Sequence, residues 1–188
     1  MTNVKQKSYI FTAAKISGIL LLICAVIAGV VSLVYSVTID AYNANVQTEI
    51  DKNLRSIFDA SEQDEFVSSV KEEGNDYTIY AVTKNGEVGY CIQIEGKGFG
   101  GAMTVMVGYH ADKSIRGVTV VSHAETPGIG TKALDPARLE EQYEGKSGEL
   151  TLSKSDQDDV LIQSGATVSS KGIHEAINRA NTIIENID

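Results

Sequence analysis

Hydrophobic positions change their period along this chain. From Ile16 to Val37 they are nearly continuous: no charged residue interrupts a run rich in Ile, Leu, Val and Ala. At ~1.5 Å per residue, roughly 22 helical residues reach across a ~30 Å hydrocarbon core, so this run predicts one transmembrane helix. Gly18, Gly29, Ser17 and Ser32 fit, since small residues are common in membrane helices. A cleaved signal peptide is the competing reading, but its apolar core spans only about 7–15 residues and ends in a small-x-small site. This run is longer and ends in "VYSVTIDAY". A lipoprotein anchor at Cys24 is disfavoured, because "LLIC" lacks small residues and the apolar run continues past it. Helical spacing follows: Val46, Ile50, Leu54, Ile57 and Phe58 predict a helix from about Asp40 into the fifties. The stretch Asp64–Glu73 is read as an amphipathic extension of it, broken at Gly74 and Asn75.

Beyond Tyr77 the pattern turns to strands. Tyr77–Thr83 and Val88–Glu95 flank Asn85-Gly86, the pair that favours a tight hairpin. Ala102–Tyr109 and Ile115–His123 flank "HADKS" and predict a second hairpin, with the glycine-rich bend Gly96–Gly101 between the two. "ALDPARLEEQYEG" predicts a short helix with Asp135 as N-cap and Pro136 at its first position. Val160–Gln163 reads as a short strand or extended entry. The closing stretch from His174 predicts an amphipathic helix with Ile173, Ile177, Ala180 and Ile184 on one face. Strands joined by short turns imply an antiparallel sheet, and helices before and after it make the class α+β.

Charge orients the chain. Lys5, Lys7 and Lys15 precede the apolar run and no acidic residue does, which places that end in the cytoplasm by the positive-inside rule. The 25 acidic residues all lie beyond Val37, against 13 basic ones, a net charge of −12. Nucleic acid and anionic lipid surfaces are poor partners for such a domain. Cys24 lies in the membrane run and Cys91 in a strand, so no disulfide framework is expected and Cys91 reads as a buried structural thiol. No nucleophile–base arrangement and no metal-ligand spacing is seen, so neither catalytic nor metal residues are assigned.

Three stretches could carry chemistry. "GKGFGG" resembles a phosphate loop only weakly, because it leads into a strand where the nucleotide signature needs a helix; a bend allowing close backbone approach is the plainer reading. "HAETPGIGTK" (His123–Lys132) reads as a turn, and His123 as a loop or core histidine. "SGATVSS" (Ser164–Ser170) precedes the closing helix. Ser169 or Ser170 would cap that helix. The same helix start offers free N–H groups and a positive dipole end that favour a phosphate, which the Thr167 hydroxyl could carry covalently. The residues alone leave both readings open.

In combination, the N-terminal anchor, "HAETPGIG", the "GKGFGGAMTVMVGY" strand region and "SGATVSS" before a helix resemble the FMN-binding subunits of the Rnf and Nqr respiratory complexes. The modest length is closer to the G subunit of Rnf than to the longer C subunit of Nqr. The resemblance implies FMN joined by a phosphoester to Thr167, the last residue of Ser164-Gly165-Ala166-Thr167. It also implies that Glu125, Thr126, Pro127, Gly128, Ile129 and Gly130 lie close to the flavin, with Ile129 where the family has Leu. A flavin transferase would install the group, and the other Rnf subunits would be partners. Leu161 stands where the transferase signature often has Asp, and the nearest acids are Asp158 and Asp159. The implied domains are 1–15 cytoplasmic, 16–37 transmembrane, 38–75 a helical linker, and 76–188 an FMN-binding domain outside the cytoplasmic membrane. The implied role is an electron-transfer subunit of a ferredoxin:NAD⁺ oxidoreductase coupled to Na⁺ or H⁺ movement. An Nqr-type C subunit and a non-redox membrane-tethered binding or sensor domain are the alternatives.

Overall fold

The computed structural model describes residues 2–153 and 160–187. The chain divides into two compact units, Met1–Glu49 and Ile50–Asp188. The first unit holds most of helix α1 (Thr2–Ile57). Within α1 lies a stretch long and apolar enough to cross a membrane, none of which the chain itself buries. Leu21 and Val37 are each 71 % exposed. A contiguous apolar surface of that kind marks a site that something else covers, and around a helix of this length a bilayer does so.

The second unit is built on a five-stranded antiparallel meander. Its strands are β1 (Phe66–Glu73), β2 (Tyr77–Lys84), β3 (Glu87–Lys97), β4 (Ala102–Tyr109) and β5 (Ile115–His123), and they lie in sequence order. The β2–β3 hairpin closes through Asn85 (φ 51°) and Gly86 (φ 87°), both in the left-handed region that this tight turn requires. Side chains alternate between two cores. On one face Ile92 and Ile94 of β3 join Met103, Val105, Val107 and Tyr109 of β4, and helix α3 (Thr167–Glu185) covers them with Ile173, Ile177, Ala180 and Ile184. On the other face Cys91 and Met106 meet Leu54, Ile57 and Phe58 from the end of α1. Burial on both faces is why β4 reads as an almost unbroken apolar run. Beneath α3, the Tyr109 hydroxyl donates to Asn181 Oδ1 at 2.8 Å, and burial pushes this phenol upward.

Both hairpins, the closing apolar helix face and the short helix α2 (Pro136–Tyr143) form where the pattern placed them. Asp135 caps α2, accepting from Arg138 N at 3.1 Å. One expectation fails here. Asp64–Glu73 is not helical: Phe66–Glu73 forms β1, paired along β2. Phe66, Val67 and Val70 fit helical spacing, but the open edge of β2 offers a full ladder, and Phe66 packs edge-on to Phe58 at 6.5 Å. Tertiary pairing thus overrides a weak local period. The short strand expected from Val160 to Gln163 is β7 (Val160–Leu161), paired in parallel with β6 (Leu152–Ser153), which the pattern did not announce.

The thiol of Cys91 is wholly buried, and burial pushes it far above the ordinary thiol range. The thiolate is the reactive form. In a Cys24→Ser background the folded protein should therefore resist alkylation at pH 8 and react at full rate only on unfolding. Mass-spectrometric counting of adducts, with and without denaturant, checks this.

Candidate functional site

The two motifs that lie far apart in sequence come together on one cavity of about 350 Å³. It is lined by Phe99 from the β3–β4 turn, by Glu125, Thr126, Ile129 and Gly130, and by Gly165 to Ser169. Of the residues singled out from sequence, Ser164, Pro127 and Gly128 do not line it. Gly128 (φ 76°) shapes the loop, its N–H donating to Thr131 Oγ1 at 2.8 Å. Phe99, Val168 and Ser169 also line the cavity, although the sequence assigns none of them to the cofactor: Phe99 lies within the glycine-rich bend, and Ser169 reads as a helix cap.

Glu125 sits at the centre of the arrangement. It is 6 % exposed. Its Oε1 accepts from Gly100 N at 3.2 Å, and its own N–H donates to His123 Nδ1 at 3.3 Å. The carboxylate occupies space that only glycines leave free: a Cβ on Gly98 would stand 1.9 Å from Oε1, and one on Gly130 would stand 2.0 Å from Oε2. Gly98 of "GKGFGG" and the last glycine of "ETPGIG" thus both make room for one side chain, while Gly100 makes room for the backbone of Ala124, where a Cβ would stand 2.0 Å from the carbonyl oxygen. The bend reading of "GKGFGG" stands, and what it approaches closely is the Ala124-Glu125 segment.

The other wall is the start of α3. Arg138 and Gln142 of α2 hold the entering chain: the Arg138 guanidinium donates to Leu161 O, and Leu161 N donates to Gln142 Oε1 at 2.7 Å. Leu161 itself is described, whereas Asp158 and Asp159 lie outside the described residues. Gly165 then turns with φ 81°, and Ala166 N donates to Gln163 O at 3.0 Å. This turn starts the helix earlier than its hydroxyl residues suggest. Ala166 is the N-cap, with no side-chain cap bond. The expected cap by Ser169 or Ser170 is therefore corrected: both lie inside the first turn and are buried. Ser170 Oγ instead accepts from Gln163 N at 3.1 Å. Thr167 is the first helical residue and is exposed. The N–H groups of Thr167, Val168 and Ser169 precede the first helical bond, Ser170 N to Ala166 O.

Two buried polar atoms on this cavity, Glu125 Oε2 and Ser169 Oγ, have no hydrogen-bond partner. Buried polar groups in folded proteins are nearly always satisfied, so two on one cavity call for a ligand or ordered solvent with matching groups. The mouth is apolar: Phe99, Ile129 and Val168 are each at least half exposed. Helical N–H donors, an orphan carboxylate oxygen, an orphan hydroxyl and an apolar rim suit a molecule with an anionic group, polar ring edges and an apolar face. FMN has all three, and the residues present fit it.

Comparisons with known proteins agree. Residues 98–182 match the family model of the FMN-binding domain. Fold and site together define an FMN-binding domain following one candidate N-terminal transmembrane helix. The chain is 28 % identical over 188 residues to the G subunit of the proton-translocating ferredoxin:NAD(+) oxidoreductase complex of Clostridium ljungdahlii, covering 97 % of each chain. It is 30 % identical over 174 residues to the G subunit of the ion-translocating oxidoreductase complex of Methanosarcina acetivorans, covering 88 % of this chain and 91 % of that one. A solved C subunit of the Na(+)-translocating NADH-quinone reductase from Parabacteroides distasonis aligns at TM-score 0.47 and 23 % identity, over 55 % of this chain and 58 % of that one. The chain belongs to the family of G subunits of ion-translocating oxidoreductase complexes.

Proposed function

We propose that this chain carries electrons through an FMN joined to Thr167 by a phosphoester, within a ferredoxin:NAD⁺ oxidoreductase complex coupled to Na⁺ or H⁺ movement. The observation that carries this reading is the convergence of Glu125, Thr126, Ile129 and Gly130 with Gly165, Ala166 and the exposed Thr167 on one cavity. When bound, FMN supplies one- and two-electron redox chemistry; the protein supplies placement and electrostatics. The uncapped N–H groups at the start of α3 would hold the negative charge of the phosphate. Gly165 leaves the approach to Thr167 open: a Cβ there would meet nothing within 4 Å. The clamp of α2 on Leu161 fixes the chain just before the attachment site. Glu125, whose Oε2 has no partner within the chain, would offer an acceptor to donors of the flavin. No general acid, base or nucleophile in this chain is needed for electron passage.

Lys5, Lys7 and Lys15 favour a cytoplasmic N-terminus, which puts the FMN domain on the opposite side of the membrane. A tether then keeps the cofactor from being lost outward. A flavin transferase is the partner for maturation, and Leu161 tests how strictly that enzyme reads the position before the motif. The experiment is co-expression of the full chain with a flavin transferase, followed by denaturing electrophoresis and peptide mass spectrometry. In-gel flavin fluorescence, with the adduct mass on the Thr167 peptide, is expected. A colourless protein without adduct would favour a non-redox binding domain.

A further inference from the structure

Phe99 has no evident packing role. It is 76 % exposed, more than any other large apolar side chain among the described residues, the apolar run of α1 included. It stands in a tight turn, Gly98-Phe99-Gly100-Gly101, closed by Gly98 N donating to Gly101 O at 2.9 Å. Phe99 is the only side chain in that turn. The turn cannot move freely, because Gly100 N binds Glu125 Oε1 and a Cβ on Gly100 would stand 2.0 Å from Ala124 O. The backbone is thus pinned against the Glu125 segment while one aromatic ring is held out at the cavity mouth.

Two further segments each bring one exposed apolar side chain to the same mouth: Ile129 at 57 % and Val168 at 50 %. The same cavity is lined by Glu125 and Ser169, whose buried Oε2 and Oγ have no partners. A bare phosphate would have no use for the apolar rim. An acyl chain would leave the two polar atoms unsatisfied. A planar heteroaromatic ring with an apolar face and polar edges meets both conditions, and aromatic side chains favour offset or edge-on contact with such rings.

We propose that Phe99 is the aromatic contact for the isoalloxazine ring, setting its environment independently of the covalent attachment. This inference rests on FMN as the occupant of the cavity, but not on the bond to Thr167.

The test compares wild type, Phe99→Ala and Phe99→Tyr in the full-length protein co-expressed with a flavin transferase. Phe99→Ala should keep its flavin on denaturing gels and keep its far-ultraviolet circular dichroism. Its visible circular dichroism, which reads the asymmetric surroundings of the ring, should shrink several-fold toward that of the unfolded protein. Phe99→Tyr should retain the dichroism and lower the native flavin fluorescence, because a phenol in contact with the ring quenches it by electron transfer where a phenyl group does not. Visible dichroism unchanged in Phe99→Ala, or native fluorescence unchanged in Phe99→Tyr, would overturn the proposal, including the case where the variant only loses assembly with other subunits. If the wild type carries no attached flavin, the phosphoester reading fails by itself. Phe99 is then tested by titrating free FMN: induced visible dichroism that weakens in Phe99→Ala supports the contact, and equal dichroism or none in the two proteins overturns it.

Discussion

Thr167→Ala should abolish flavin retention on denaturing gels while leaving the fold intact. The geometry makes this a clean experiment. Thr167 is the first residue of α3, is exposed, and makes no cap bond, since Ala166 is the N-cap. Its removal is therefore expected to change stability by no more than about 0.5 kcal/mol, as for surface sites without a special contact. The loss of about 0.5–2 kcal/mol that follows removal of a true hydroxyl cap should not appear. Nearby hydroxyls give the controls. Ser169 and Ser170 are buried, so neither can replace Thr167 without opening the helix start. Ser164 is exposed but does not line the cavity, and Ser164→Ala should keep the flavin. Thr167→Ser retains the hydroxyl and should keep part of it. Fluorescence per mole of protein, with the mass of the Thr167 peptide, reads each of these variants. Flavin retained at wild-type level in Thr167→Ala would falsify the assignment.

What could be read from the sequence follows a physical division. The β2–β3 hairpin was legible because its turn chemistry and alternation are local: Asn85-Gly86 specifies the turn whatever surrounds it. The Asp135 cap was legible for the same reason. β1 was not, because Phe66–Glu73 becomes a strand only through the edge of β2, and its valines satisfy helical spacing equally well. The cap of α3 is misplaced by its hydroxyls because the left-handed turn at Gly165 starts the helix before them. The site divides in the same way. Glu125–Gly130 and Ser164–Thr167 stand out as motifs, and only the fold shows which of their members face the cavity. Phe99 sits inside a stretch whose glycines dominate its reading. Its meaning depends on Glu125 pinning the turn around it, through a bond between residues 25 apart in sequence.

That pinning yields the second large expected effect, in Gly130→Ala. The added Cβ would stand 2.0 Å from Glu125 Oε2, 2.9 Å from its Cδ and 3.1 Å from its Cβ, and the three nearest atoms all belong to that one side chain. Either the carboxylate leaves its place, losing the bond from Gly100 N, or the loop shifts. Overpacking of this kind costs about 1–3 kcal/mol, and separating a buried carboxylate from its donor adds to it. Because the clash lies with one side chain, Glu125→Ala in the same molecule should relieve most of it, leaving only the 3.1 Å approach to Cβ. The double variant should thus be more stable than the sum of the single losses predicts, with a coupling of about 1–3 kcal/mol, within the range found for residues in contact. Gly98→Ala is the contrasting case. Its Cβ would meet Glu125 Oε1 at 1.9 Å but also Met103 Cε at 2.4 Å, so Glu125→Ala should rescue it only in part. Unfolding midpoints of the detergent-solubilised chain measure both cycles. Additive losses in the Gly130 cycle would mean that Glu125 is not what these glycines make room for. The cavity would then owe its shape to the loop alone, and Glu125 could not be the common element that ties "GKGFGG" to "ETPGIG".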